Sequence, residues 1–250
     1  MVDYIIGPSG RRIAYRATEG VGPAIIFLGG FRSDMTGTKA VWLEDWSRAQ
    51  NRAFIRFDYS GHGVSAGRFE EGCISDWTED AMAILDLVNG PAILVGSSMG
   101  GWISLLVAGR ATVSIAALIT IAAAPDFTED AMWAHFDIAT RARLMEEGLV
   151  HLPSDYGAPY PITRRLIEDG RENLVLQEPL HLPFPVRLLQ GTDDRDVSPD
   201  VALRLLKHTD GADIRLTLVK GADHRFSTPD CLTLIGDTLV EVLERYSRHN

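Results

Sequence analysis

Ala92-Ile93-Leu94-Val95-Gly96-Ser97-Ser98-Met99-Gly100-Gly101-Trp102 is the stretch on which the reading of this chain turns. The apolar run Ala92 to Val95 has the length of a buried strand, and Trp102 to Ala108 continues with helical spacing. Between them stands Gly96-Ser97-Ser98-Met99-Gly100, a G-x-S-x-G motif in a strand–turn–helix context. Such a turn is too tight for side chains on either flank, and Gly96 and Gly100 supply their absence. It lifts the Ser98 hydroxyl off the sheet at a helix N-terminus, where developing negative charge is favoured. Ser98 is the candidate nucleophile.

Outward from the elbow, short apolar runs alternate with helical patterns, the rhythm of βαβ units around a mostly parallel sheet. Tyr4-Ile5-Ile6 and Arg12 to Tyr15 flank Gly7-Pro8-Ser9-Gly10 and read as a hairpin. Strands follow at Ala24 to Leu28, Ala53 to Phe57 and Ile115 to Ile121, with helices at Thr38 to Gln50 and Ile74 to Val88. From about Pro125 to Pro183 the rhythm stops. Helical stretches there (Glu129 to Glu147, Thr163 to Gly170) are separated by Pro153, Pro159 and Pro161. Residues 125–183 read as a small helical cap inserted into a single domain spanning 1–250. The sheet resumes at Val186 to Leu189 and ends at Ile214 to Val219, followed by a helix at Cys231 to Tyr246.

A serine needs a base. His224, in Gly221-Ala222-Asp223-His224-Arg225-Phe226, follows the final strand, and the order nucleophile, acid, histidine suits this topology. His62 precedes the elbow and fits less well; His135 and His151 fall in the cap. The orienting acid belongs after the strand that follows the cap, where Gly191-Thr192-Asp193-Asp194-Arg195-Asp196-Val197 offers three aspartates. An oxyanion needs two N–H donors, and the amide of Met99 is the first. Arg32 and Ser33 are candidates for lining the substrate pocket. The apolar cap residues Met132, Trp133, Phe136, Ile138, Leu144 and Met145 read equally as an acyl-chain wall or as packing.

Composition narrows the function. The net charge of −10 comes with no basic stripe, which argues against nucleic acid as a partner. No Cys/His cluster suggests zinc, the three aspartates lack the Gly and distal Glu of a calcium loop, and no phosphate-binding or dinucleotide glycine pattern is complete. No metal or organic cofactor is expected. Cys73 and Cys231 read as two isolated buried thiols. No stretch has about 18 uncharged apolar residues, so no integral membrane segment is expected. The N-terminus shows no signal-peptide pattern, and the expected location is the cytoplasm. Acidic residues in the cap (Asp137, Glu146, Glu147, Asp155) keep an amine-anchoring peptidase in view, C–C bond hydrolysis is a further enzymatic alternative, and a non-catalytic small-molecule receptor is the reading from outside enzymology.

Three segments together resemble one branch of the α/β-hydrolase superfamily: Gly96 to Trp102, Arg56-Phe57-Asp58-Tyr59-Ser60-Gly61-His62-Gly63, and Phe31 to Ala40. That branch includes a mitochondrial palmitoyl-protein thioesterase, also described as an acyl-glucuronide esterase, and its bacterial relatives. The resemblance implies an α/β-hydrolase fold with a mostly parallel eight-stranded sheet flanked by helices. It implies hydrolysis of esters or thioesters, of a small-molecule or acylated-protein substrate. Its G-x-x-D-x-x-V pattern selects Asp194, completing a triad of Ser98, Asp194 and His224. Gly29-Gly30-Phe31 stands where the superfamily often has His-Gly-x, which assigns the second oxyanion donor to the Phe31 amide. Gly29 departs from the family's His.

Overall fold

The computed structural model describes residues 1–154 and 157–249. The chain runs through β1 (Asp3–Ile6), β2 (Arg12–Thr18), β3 (Val21–Leu28), α1 (Thr38–Ala49), β4 (Arg52–Phe57), α2 (Ile74–Leu85), β5 (Ala92–Ser97), α3 (Met99–Arg110) and β6 (Ile115–Ile121). It continues through α4 (Ile138–Glu147), β7 (Leu149–Ser154), β8 (Gly157–Thr163), α5 (Arg164–Glu172) and β9 (Leu180–His181). The closing elements are β10 (Val186–Gly191), α6 (Pro199–His208), β11 (Thr209–Asp210), β12 (Ile214–Val219) and α7 (Pro229–His249).

Eight strands form one sheet in the order β1-β2-β4-β3-β5-β6-β10-β12. From β4 to β12 every neighbour is parallel; β1 and β2 join antiparallel at one edge. Strand β5 is buried along its whole length, which is why it reads as a continuous apolar run rather than an alternation. Its two faces feed different cores. Leu94 packs with Ile26, Leu118, Trp77 and Trp102 on one side, and Ile93 and Val95 pack with Ile25, Ile119, Ile235 and Leu239 on the other. Helices thus cover both faces: α2 and α7 bury the apolar stripes that their spacing announces, while α3 is buried all round from Met99 to Val107.

The stretch between β6 and β10 departs from the expected all-helical cap. Residues Thr128–Trp133 form a wide helical turn, a break follows at Asp137, and α4 starts with the Asp137 carboxylate accepting the Thr140 N–H at 2.7 Å. Next comes an antiparallel hairpin, β7 with β8, which pairs Val150 with Ile162 and His151 with Pro161. The prolines read as breakers, but in a two-stranded ribbon half of the N–H groups point outward and lack a ladder partner anyway. Val150 and Ile162 are both buried on the inner face. The one-residue alternation was there to read, masked by Pro153, Pro159 and Pro161. Both cysteines are buried and unpaired.

Candidate active site

All the strands that supply the site end on the same edge of the sheet, where open α/β sheets place their ligands. Ser98 follows β5, and its backbone sits at φ 55°, ψ −119°. This is costly for a non-glycine residue, on the order of 1–3 kcal/mol. The surroundings hold it there: the Ser98 N–H donates to the Ile121 carbonyl at 2.9 Å, and its own carbonyl accepts from Gly101 (2.8 Å) and Ala124 (3.1 Å). A Cβ on Gly100 would lie 2.1 Å from the Leu28 carbonyl oxygen, and one on Gly96 would lie 2.3 Å from the Gly100 oxygen. Both glycines are therefore demanded by backbone contact across the elbow.

Ser98, His224 and Asp194 form one hydrogen-bonded chain. His224 Nε2 lies 3.1 Å from Ser98 Oγ, and its Nδ1 lies 2.8 Å from Asp194 Oδ2. Of the three aspartates after β10, only Asp194 turns inward. Its Oδ1 accepts the Asp196 and Val197 amides at 2.9 and 2.8 Å, and Oδ2 also accepts from Gln190 Nε2 at 2.9 Å. Burial pushes the Asp194 pKa up, but hydrogen bonds from His224 and the Val197 amide outweigh it, and the net shift is downward. Asp194 stays a carboxylate that orients the imidazole. Asp194, Asp196 and His224 bring ligand atoms within 4.8 Å of one another, as a metal site would. Both Asp194 oxygens, however, already accept two donors each.

The Met99 amide opens α3, and the Phe31 amide lies in the loop after β3. Among the described residues neither donates to another protein group, as befits donors reserved for a ligand. The loop comes close to Ser98: a Cβ on Gly30 would lie 3.3 Å from the Ser98 Cβ. A cavity of ≈ 770 Å³ opens here, reached by Ser98 and His224 and also lined by Arg32 and Ser33. Its apolar side is Phe31, Phe127, Met132, Phe136, Leu152 and Tyr160; Arg32, Lys39 and Arg225 bring positive charge. The Arg32 guanidinium lies over the Phe69 and Tyr160 rings, 5.8 and 5.6 Å from their centroids. Of the apolar cap residues singled out from sequence, Met132 and Phe136 line the cavity. Leu144 is core, Ile138 and Met145 are exposed, and Trp133 packs on Phe136 beneath Arg141 and Arg171. The acidic anchor is not assembled: Asp137 caps α4, Glu146 and Glu147 are exposed, and Asp155 lies outside the described residues.

Sequence reasoning missed Gln190, Lys39 and the inward role of His62. Burial lowers the Lys39 pKa to about 8, and its Nζ donates to the Arg225 carbonyl at 2.5 Å. Burial takes His62 to about 4; Arg32 pushes in the same direction, while the Ser60 carbonyl and Asp34 oppose it. Its folded pKa lies below the unfolded value of 6.5, so the unfolded chain binds more protons between the two. The His62 contribution is therefore complete above pH 6.5 and is lost as pH falls towards 4. Relative to His62→Gln, wild type should lose roughly 3 kcal/mol of unfolding free energy across that window, read by urea titration. A pH-independent difference would contradict the burial argument.

A model of the alpha/beta hydrolase family matches residues 25–230. The bovine mitochondrial palmitoyl-protein thioesterase ABHD10 is 32% identical over 249 residues, 98% of this chain and 81% of the bovine protein. Its human counterpart is 31% identical over the same shares of both chains. Among solved structures, a protein from Agrobacterium vitis S4 superposes with a TM-score of 0.93 at 39% identity, covering 97% of this chain and 98% of that one. Mouse alpha/beta hydrolase domain-containing protein 10 superposes with a TM-score of 0.89 at 33% identity, covering 98% and 99%. These matches overturn the cytoplasmic expectation, since the mammalian relatives are mitochondrial proteins. No described helix is long and apolar enough to cross a membrane.

Proposed function

The chain belongs to the alpha/beta hydrolase family, and from that premise we propose that it is a serine hydrolase cleaving carboxylic esters or thioesters through an acyl-enzyme on Ser98. The observation that carries this reading is the unbroken chain from Ser98 Oγ through the His224 ring to Asp194, at the mouth of a cavity with one apolar side. His224 Nε2 takes the Ser98 proton as Oγ attacks the acyl carbonyl. The Phe31 and Met99 amides hold the resulting oxyanion; one such donor is typically worth about 10²–10³ in rate. His224 then protonates the departing alkoxide or thiolate. A water then gives its proton to the same nitrogen as its oxygen attacks the acyl-enzyme carbonyl, and Ser98 Oγ takes that proton back as it departs, releasing the acid.

Residues 125–183 act in this reading as a cap over a single domain, with Met132, Phe136, Leu152 and Tyr160 forming the acyl-chain wall. The relatives named as palmitoyl-protein thioesterases support a long acyl group carried on a protein thiol as one substrate.

A fluorophosphonate probe should label wild type and leave Ser98→Ala unlabelled; an unlabelled wild type would favour a receptor. Across p-nitrophenyl esters and acyl-thioesters of graded length, kcat/KM should rise roughly fourfold per added CH₂, from about 0.8 kcal/mol of burial each, and then saturate. A flat profile would remove the acyl wall from the proposal.

A further inference from the structure

His62 is 4% exposed, inside a cage of aromatic rings. The Tyr59, Phe69 and Trp77 rings meet it edge-on, with centroids 5.2–5.6 Å away. Packing alone would be served better by phenylalanine, because an imidazole in such a cage must satisfy two nitrogens. Both are satisfied. Nδ1 lies 3.2 Å from the Ser60 carbonyl oxygen, which can only accept, and Nε2 lies 3.3 Å from the Arg32 N–H, which can only donate. The partners assign the proton to Nδ1 and leave the Nε2 lone pair for Arg32.

Arg32 is where an anchor is needed. Its φ of +58° is left-handed, at a cost of about 1–2 kcal/mol for a residue with a Cβ. It directly follows Phe31, whose amide is the second oxyanion donor. Further along the same loop, the Met35 N–H donates to Asp58 Oδ1 at 2.6 Å and the Met35 carbonyl accepts from Arg56. The loop is thus pinned at two points by side chains from the end of β4 and the turn after it.

We propose that His62 is a positioning residue for the oxyanion hole: as a neutral acceptor it holds Arg32 in the left-handed conformation, and so aims the Phe31 amide at the carbonyl that Ser98 attacks. This rests on the hydrolase reading above. His62 carries no proton in the reaction, since both its nitrogens are engaged away from Ser98 and His224.

The test compares wild type, His62→Gln and His62→Phe on p-nitrophenyl butyrate, with Tm measured for each. Phe keeps the shape and loses the acceptor; the Gln Oε1 reaches the place of Nε2. His62→Phe should lower kcat roughly 10–100-fold with KM within about threefold, because a misaimed donor matters chiefly in the transition state. His62→Gln should recover at least about a tenfold share of that loss. Wild-type kcat in His62→Phe, equal losses in both variants, or a loss confined to KM would overturn the proposal. Nitrogen-15 imidazole spectra of wild type at pH 7 test it without relying on a variant's fold. A protonated Nδ1 with a bare Nε2 is expected, and an Nε2–H tautomer or an imidazolium would overturn it. Failure of the hydrolase reading looks different: wild type itself would neither turn over ester nor take the fluorophosphonate.

Discussion

Ser98→Ala is expected to lower ester turnover by roughly 10⁴–10⁶-fold while leaving Tm within a few degrees of wild type. The two halves of that result have separate causes. The hydroxyl is the atom His224 Nε2 faces at 3.1 Å, and its removal deletes the covalent route. The backbone strain stays, because alanine suffers at φ 55° as serine does, and the Ile121, Gly101 and Ala124 hydrogen bonds that hold the elbow are all main-chain. A variant retaining near-wild-type hydrolysis of p-nitrophenyl esters would remove the nucleophile assignment. A variant that lost its fold would show instead that the hydroxyl is structural.

Asp194→Asn should cost roughly 10³–10⁴ in kcat, against a few-fold at most for Asp193→Asn. An amide can present an N–H to His224 Nδ1 where the carboxylate only accepted. The imidazole then turns to the tautomer with its proton on Nε2, and Ser98 loses its base. Asp194→Asn should also lower stability by about 1–3 kcal/mol, because its carboxylate accepts the Asp196 and Val197 amides as well. Asp193 is exposed, and its carboxylate accepts from the Thr192 hydroxyl at 3.2 Å, with no other side-chain partner among the described residues. Equal kinetics for the two variants would reassign the acid.

What could be read without coordinates was whatever the chain encodes within a few residues. The elbow declares itself because Gly96 and Gly100 must stand two residues either side of Ser98 for the backbone to cross. The central parallel strands β3, β5 and β6 declare themselves because burial on both faces makes them nearly continuous apolar runs, whereas β12 at the edge alternates. The three aspartates after β10 were separable only through the family pattern. Which one turns inward depends on two backbone amides and Gln190, and Gln190 looks from sequence like any polar residue at a strand end. His62 was legible as a histidine in a glycine turn, but its role depends on meeting Arg32, 30 residues away, across two strands. The β7–β8 hairpin was hidden for a different reason: proline statistics describe strands inside sheets, and this ribbon has two free edges.

Ser98 and His224 are 126 residues apart, and the imidazole arrives on the loop behind the final strand. On the mechanism proposed above, the elbow can take shape during translation while the base of Ser98 is still inside the ribosome, and the nascent protein should stay chemically silent until the last edge of the sheet docks. In refolding, recovered turnover should accordingly lag the circular dichroism of the central strands, so that activity serves as a clock for the closing step of assembly.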